Sequence, residues 1–201
     1  MKVYIPFKSV NPKSRLGKVL TEKEREKFAF CMLYDVVESV EKAGFEPNIL
    51  ATQKLGLNNE IVDPRDLNSA INDRIKEDSP LMVVMSDLAL IRPENLKEMS
   101  LIDADVVIAP GKRGGTNVLL VRNPDFRVSY YGLSFLKHIG IAEELEISYS
   151  IYSSLYTFVD VDDEMDLIEV MIHGRSRSRD FLKKCGFRIE IRGKDPVLVR
   201  N

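Results

Sequence analysis

Leu81-Met82-Val83-Val84-Met85, followed at once by Ser86-Asp87, decides how this chain is read. Five consecutive apolar residues ending on a carboxylate have no alternation of faces. A strand with that pattern is buried on both sides, so helices must flank it. Working outward, Val3 to Phe7 reads as another short buried strand, Asn48 to Thr52 as a second, Asp105 to Pro110 and Asn117 to Arg122 as later ones, and Tyr156 to Val159 as the run that delivers Asp160. Between them lie helical patterns. Thr21-Glu22-Lys23-Glu24 forms a capping box, after which Phe30, Leu33, Val37 and Val40 repeat at helical spacing, giving a helix from Glu22 to Ala43 that Gly44 stops. Gly56, Asn58, Asn59 and Pro64 mark a loop, and Asp66 or Asn68 caps the helix that follows. Pro93 opens a short helix, Ser134 to Ile141 turns helical with Ser134 as its cap, and Asp163 to Ile172 is a helix capped by carboxylates. Phe187 to Ile191 and Val197 to Val199 pair as late strands.

Strand alternating with helix predicts an α/β sandwich on a largely parallel sheet, and 201 residues fit a single domain, 1–201, with a sizeable core. Such sheets bind ligands outside the carboxyl ends of their strands. A net charge of −2 gives no general attraction for nucleic acid or an anionic membrane. No apolar run reaches membrane-spanning length and no leader pattern opens the chain, so a cytoplasmic protein is expected. Cys31 and Cys185 show no paired spacing and read as buried thiols of a reducing compartment.

Every polar cluster of interest follows a predicted strand. Lys8, Lys13 and Arg15 sit on a loop stiffened by Pro6 and Pro12, where they suit a polyphosphate or simply a solvated basic turn. Asp87 reads equally as a cation ligand or as a cap before Pro93. Asp160, Asp162, Asp163, Glu164 and Asp166 pack five carboxylates into seven positions. The last three suit the start of a helix, while Asp160 and Asp162 point the same way in an extended segment and could join Asp87 around a hard cation. Oxygen ligands without His or Cys spacing favour magnesium over zinc. Gly114-Gly115-Thr116-Asn117 leaves amides and a hydroxyl for an anion or makes an ordinary hairpin or bulge turn, and neither common nucleotide fingerprint is present. Tyr131-Gly132-Leu133-Ser134 is a second such cradle or a plain helix start. His138 and His173 read as structural, and Arg175 to Arg179 as a solvated basic stretch or a phosphate contact.

Pro6-Phe7-Lys8 with Asn11-Pro12-Lys13-Ser14-Arg15-Leu16, Leu67-Asn68-Ser69-Ala70-Ile71, Ser86-Asp87-Leu88, Ala109-Pro110 leading to Gly114-Gly115-Thr116-Asn117, Tyr131-Gly132 with Ser134-Phe135, and Asp160-Val161-Asp162 together resemble the 2-phospho-L-lactate guanylyltransferase family of coenzyme F-420 biosynthesis. The likeness runs to about Ile172, with one departure: Ala89 stands where that family usually has proline, which predicts a looser turn. The resemblance implies a Rossmann-like nucleotide-diphospho-sugar transferase fold, a three-layer α/β/α sandwich on a mixed, largely parallel sheet. It also implies transfer of GMP from GTP to the phosphate of 2-phospho-L-lactate or phosphoenolpyruvate, with release of pyrophosphate. On it, Lys13 and Arg15 contact the triphosphate, with Pro6, Lys8 and Asn68 beside the nucleotide. Asp87, Asp160 and Asp162 hold Mg2+. Gly115, Thr116, Asn117, Gly132 and Ser134 seat the acid. Lys13, Arg15 and Asp87 carry the catalysis. A downstream lactyl-phospho-deazaflavin transferase is the implied partner, and oligomeric state, a homodimer included, stays open. A glycosyltransferase and a non-catalytic nucleotide-binding domain are the competing readings.

Overall fold

A computed structural model describes residues 1–201. Nine strands are present: β1 Lys2–Phe7, β2 Glu46–Ala51, β3 Glu60–Val62, β4 Leu81–Val84, β5 Val106–Pro110, β6 Thr116–Val121, β7 Tyr149–Ile151, β8 Phe187–Arg192 and β9 Asp195–Arg200. The α-helices are α1 Glu22–Lys42, α2 Leu67–Asp78, α3 Pro93–Leu101, α4 Ser134–Glu144, α5 Leu155–Phe158, α6 Glu164–His173 and α7 Arg177–Lys184. The first seven strands form one sheet in the order β3-β2-β1-β4-β6-β5-β7, and β8 and β9 form a separate antiparallel hairpin. All neighbours in the main sheet are parallel except β6, which runs against both β4 and β5.

The apolar runs explain the layering. Along β4, Met82 and Val84 join a core of 35 buried residues on one face of the sheet, while Leu81 and Val83 enter a second core on the other. β5 and β6 divide their residues the same way. The first core is covered chiefly by α1, α3, α6 and α7, and the second by α2 and α4. This is the expected three-layer α/β/α sandwich. Helix α1 begins on the expected capping box, with the Thr21 amide donating to Glu24 Oε2 at 2.8 Å. It inserts Phe28, Met32, Leu33, Val36 and Val40 into the larger core, where burial of each such side chain contributes about 1.5–3 kcal/mol. No helix is long and apolar enough to cross a membrane.

Four local expectations are corrected. The second strand lies at Glu46–Ala51 rather than Asn48 to Thr52, because it pairs along the whole of β1 starting from Lys2. The loop after it contains the edge strand β3, held by the Glu60 carboxylate, which accepts from the amides of Leu55, Gly56 and Leu57. Tyr156 to Val159 is not a strand: Ser154 caps one helical turn, and Phe158 N–H donates to Ser154 O at 2.9 Å. The strand of that region is β7, seven residues earlier and beside β5. Ser134 is not a cap, since Leu133, in a left-handed conformation (φ 49°), precedes the first turn and leaves the Ser134 hydroxyl turned inward.

The C-terminal stretch is a buttress. Asp35 of α1, 4% exposed, accepts from the hydroxyls of Ser176 and Ser178 and from the backbone amides of Arg177 and Ser178. Arg177 pairs with Glu38, and Arg200 of β9 with Glu24 at the start of α1. Within the basic run Arg175 to Arg179, Ser176, Arg177 and Ser178 thus fasten α7 to α1. Cys31 and Cys185 are free thiols, half-buried rather than buried as expected, and partial burial pushes both above their ordinary pKa.

Candidate active site

Parallel strands all end on the same rim, and the rim of β4, β1, β2 and β3 opens into a cavity of about 620 Å³. Pro6, Phe7 and Lys8 come from the end of β1, Leu50 to Thr52 from β2, Asp63 and Arg65 from beyond β3, and Met85, Ser86 and Asp87 from β4. The loop after β1 brings Asn11 to Arg15 over this wall, and Asp162 closes it.

That loop is held open by its own backbone. Asn11 (φ 44°) and Lys13 (φ 53°) are both left-handed, a conformation costing a non-glycine residue of order 1 kcal/mol and kept only where neighbours enforce it. Arg25 of α1 does so, donating to Asn11 Oδ1 at 2.8 Å and to Pro12 O at 2.9 Å. The result aims Lys13 inward. Its ammonium lies 2.5 Å from Asp87 Oδ2 and 2.9 Å from Asp162 Oδ1, and Arg15 reaches Asp162 Oδ2 at 3.2 Å. Burial works to lower the Lys13 pKa, but Asp87 and Asp162 outweigh it and leave it raised.

The three aspartates meet because one backbone bond ties their segments together. Val161, fully buried in the larger core, donates its amide to Asp87 O at 3.2 Å. Asp160 and Asp162, on either side of it, then fall next to Asp87, and one carboxylate oxygen from each lies within 4.8 Å of the others. The pattern read from Asp160-Val161-Asp162 is therefore what the structure contains. Asp87 is no cap for α3, whose first turn is preceded by Arg92. Ala89 packs into the core, and its turn closes with Ile91 N–H on Leu88 O at 3.0 Å, so losing the family's proline leaves Asp87 in place.

The trio could hold a metal ion beside the Lys13 ammonium that already bridges two of its members. Asp87 Oδ1 is buried with no hydrogen-bond partner, and an orphaned carboxylate oxygen costs free energy unless a donor or cation meets it. Asp160 is raised, first by burial and then by Asp87 beside it. Burial also works to raise Asp162, but Lys13, Arg15 and Lys112 outweigh it and the net shift is downward. Three convergent oxygens with one unsatisfied suit a divalent ion.

The remaining carboxylates of the acidic run hold the frame, as expected. Asp163 caps α6, and Asp166 accepts from the amides of Asp162 at 2.7 Å and Asp163 at 2.9 Å. Lys112, which sequence reasoning missed, pairs with Asp166 and gives its amide to Asp160 Oδ1 at 3.3 Å.

The glycine loop plays a different part from the one its composition suggests. Thr116 and Asn117 are buried, and the Gly115 amide is spent on Lys112 O at 3.1 Å. Asn117 donates to Thr157 O, Phe158 O and Asp160 Oδ1 at 2.9, 3.1 and 3.3 Å, so it positions the segment that carries Asp160. A Cβ on Gly111 would lie 2.2 Å from Asn117 Oδ1, which is why glycine stands there. The Thr116 hydroxyl is not free for an anion: it lies 3.0 Å from His138 Nδ1 and accepts from Ser134 at 3.3 Å. Because Ser129 N–H donates to His138 Nε2, the ring proton sits on Nδ1 and is given to Thr116. Burial pushes this imidazole down to about 4. Asn68 accepts from the Tyr130 amide at 2.8 Å. Of the residues singled out in the sequence, Pro6, Lys8, Lys13, Arg15, Asp87 and Asp162 line the cavity, with Asp160 joining the trio. Asn68, Gly115, Thr116, Asn117, Gly132 and Ser134 are not on its wall.

Missed altogether were Asp63 and Arg65, which line the far end of the cavity. Their signal was the three-residue strand β3, hidden in a polar stretch.

A doubly flanked, mostly parallel sheet with a basic loop after its first strand and an acidic trio at its rim is an arrangement that could receive a nucleotide's phosphates together with a divalent ion. The fold has solved counterparts: a candidate nucleotide-diphospho-sugar transferase from Desulfovibrio desulfuricans G20 superposes with a TM-score of 0.77 at 15% identity, over 91% of this chain and 94% of that one. A nucleotidyl transferase from Methanothermobacter gives 0.60 at 11% identity, over 91% and 98%. The chain belongs to the guanylyl transferase CofC like family, whose profile matches residues 1–198. It is 47% identical over 201 residues to the 2-phospho-L-lactate guanylyltransferase of Ferroglobus placidus, covering both chains fully. It is 44% identical over 203 residues to that of Archaeoglobus profundus, covering 100% of this chain and 97% of that one. Of the three readings the sequence left, family membership selects the first.

Proposed function

We propose that this protein transfers GMP from GTP to the phosphate of a phosphorylated C3 acid, 2-phospho-L-lactate or phosphoenolpyruvate, within one domain spanning 1–201. The observation that carries the reading is the meeting of Lys13 and Arg15 with Asp87, Asp160 and Asp162 at the end of the cavity. Asp87, Asp160 and Asp162 would hold Mg2+, which when bound supplies positive charge against the triphosphate and favours oxygen donors of this kind.

A phosphomonoester has its second pKa about 6 and is largely dianionic near neutrality. Its oxygen attacks the α-phosphorus of GTP, a new phosphorus–oxygen bond forms, and the bond from that phosphorus to the β-bridging oxygen breaks. Pyrophosphate leaves with the electron pair. No side chain need take a proton, in keeping with a site that has no His or Cys on its wall. The protein's task is to bring two anions together in line. Lys13 and Arg15 offset the charge gathering on the triphosphate, Lys8 and Pro6 border the nucleotide, and Asn68 fixes the neighbouring Tyr130 loop. Gly115, Thr116, Asn117, Gly132 and Ser134 shape the acid's side of the rim by position, Thr116 and Ser134 without offering free hydroxyls.

Pyrophosphate release from GTP tests this directly. Release is expected only with 2-phospholactate or phosphoenolpyruvate present, and only with magnesium. No release from any triphosphate with any phosphorylated C3 acid would overturn the reading.

A further inference from the structure

We infer that Arg65 reads the O6/N7 edge of the purine and so selects guanine over adenine; this rests on the guanylyl-transfer reading above. The cavity crosses four strand ends, from Asp87 beyond β4 to Asp63 and Arg65 beyond β3. Three strand spacings separate those ends, about 14 Å. With the phosphates at the Lys13 end, the base falls at the other, where Leu50, Leu67 and Ala70 offer an apolar wall.

Arg65 there is fixed from two sides. Its Nε and Nη2 donate to Asp63 Oδ1 and Oδ2 at 2.9 and 2.7 Å, and its Nη1 to Asp73 Oδ2 at 2.5 Å. Asp63 is itself buried, 7% exposed, and its remaining contact is the Arg65 amide at 3.1 Å. A guanidinium has five N–H donors. Three are spent, and the two that remain are split between the terminal nitrogens of a side chain still 47% exposed. Two neighbouring carboxylates overcompensate its charge, so the group suits a neutral ligand better than a phosphate. Two fixed donors match the two acceptors of guanine, O6 and N7; adenine places an amine where one acceptor should be.

The test is equilibrium binding of GTP, ATP and 7-deaza-GTP to the full chain and to Arg65→Met and Arg65→Lys, by calorimetry with magnesium. The wild type is expected to hold GTP about tenfold more tightly than ATP, and several-fold more tightly than 7-deaza-GTP, on the scale of a bidentate guanine contact. Arg65→Met should lose these ratios, GTP weakening toward the other two, and Arg65→Lys should reduce them about threefold or more, because its ammonium is drawn between Asp63 and Asp73 and lacks the fixed fork. Arg65→Lys keeps a cation between Asp63 and Asp73, so it carries the test if Arg65→Met fails to fold by circular dichroism. Unchanged ratios in folded variants, or equal weakening of all three nucleotides, would overturn the assignment. Wild-type pyrophosphate release from GTP with unchanged variant ratios would remove Arg65 alone. Absence of release would remove the guanylyl-transfer reading, while the binding ratios still report on Arg65.

Discussion

Asp35 and Asp87 are both carboxylates held by the same fold, yet the chain treats them in opposite ways. Asp35 receives two hydroxyls and two backbone amides from the start of α7, and each of its oxygens is satisfied. Asp87 receives the Lys13 ammonium on one oxygen, while the other is buried and unpaired. The first carboxylate joins two pieces of structure. The second is left incomplete at a strand end, the place where an α/β sheet meets its ligands.

Four measurements bear on that contrast. Asp87→Asn should lower kcat by about 10³-fold, or about 4 kcal/mol, with the thermal midpoint unchanged or raised; a variant with a lowered midpoint and normal turnover would exchange the roles of the two residues. Asp35→Ala should cost about 3 kcal/mol in urea unfolding, since buried amides lose their acceptor, with turnover per folded molecule kept. Loss of activity without loss of stability would break the comparison from the other side.

His138 sharpens it with pH. Its imidazole titrates near 4 in the folded chain and near 6.5 once unfolded. Between those values the unfolded chain binds the extra proton, so stability is complete above about 6.5 and is lost as pH falls toward 4. The total is of order 3 kcal/mol, shared with no other group in His138→Gln, whose unfolding midpoint should therefore change less than the wild type's between pH 7 and pH 4.5. The smallest effect belongs to Arg15, largely exposed and bound by one 3.2 Å contact. Arg15→Met should lower kcat/KM for GTP about fivefold, near 1 kcal/mol, and leave stability alone.

The chain's central strand and its acidic and basic rim were legible because both signals are local. An unbroken apolar run such as Leu81 to Val84 must be buried, and a charge directly after it must lie at a strand end. The edge strands β3 and β7, three residues each, carry no comparable run; their place is set by β2 and β5 beside them. With β3 went Asp63 and Arg65. Leu155 to Phe158 has the side chains of a strand, and only the Ser154 cap turns it into a helix. Thr116 and Ser134 looked available in the sequence because nothing there shows that His138 of α4 reaches the Thr116 hydroxyl and that Ser134 donates to the same oxygen.

Lys13 and Asp162 stand 149 residues apart. A growing polypeptide therefore has its ammonium long before the last acid of the trio is synthesised. Three mutually repelling carboxylates are gathered late, against a counter-charge already waiting, and any shortened product lacking the final quarter would present the basic arm without its acidic receptor.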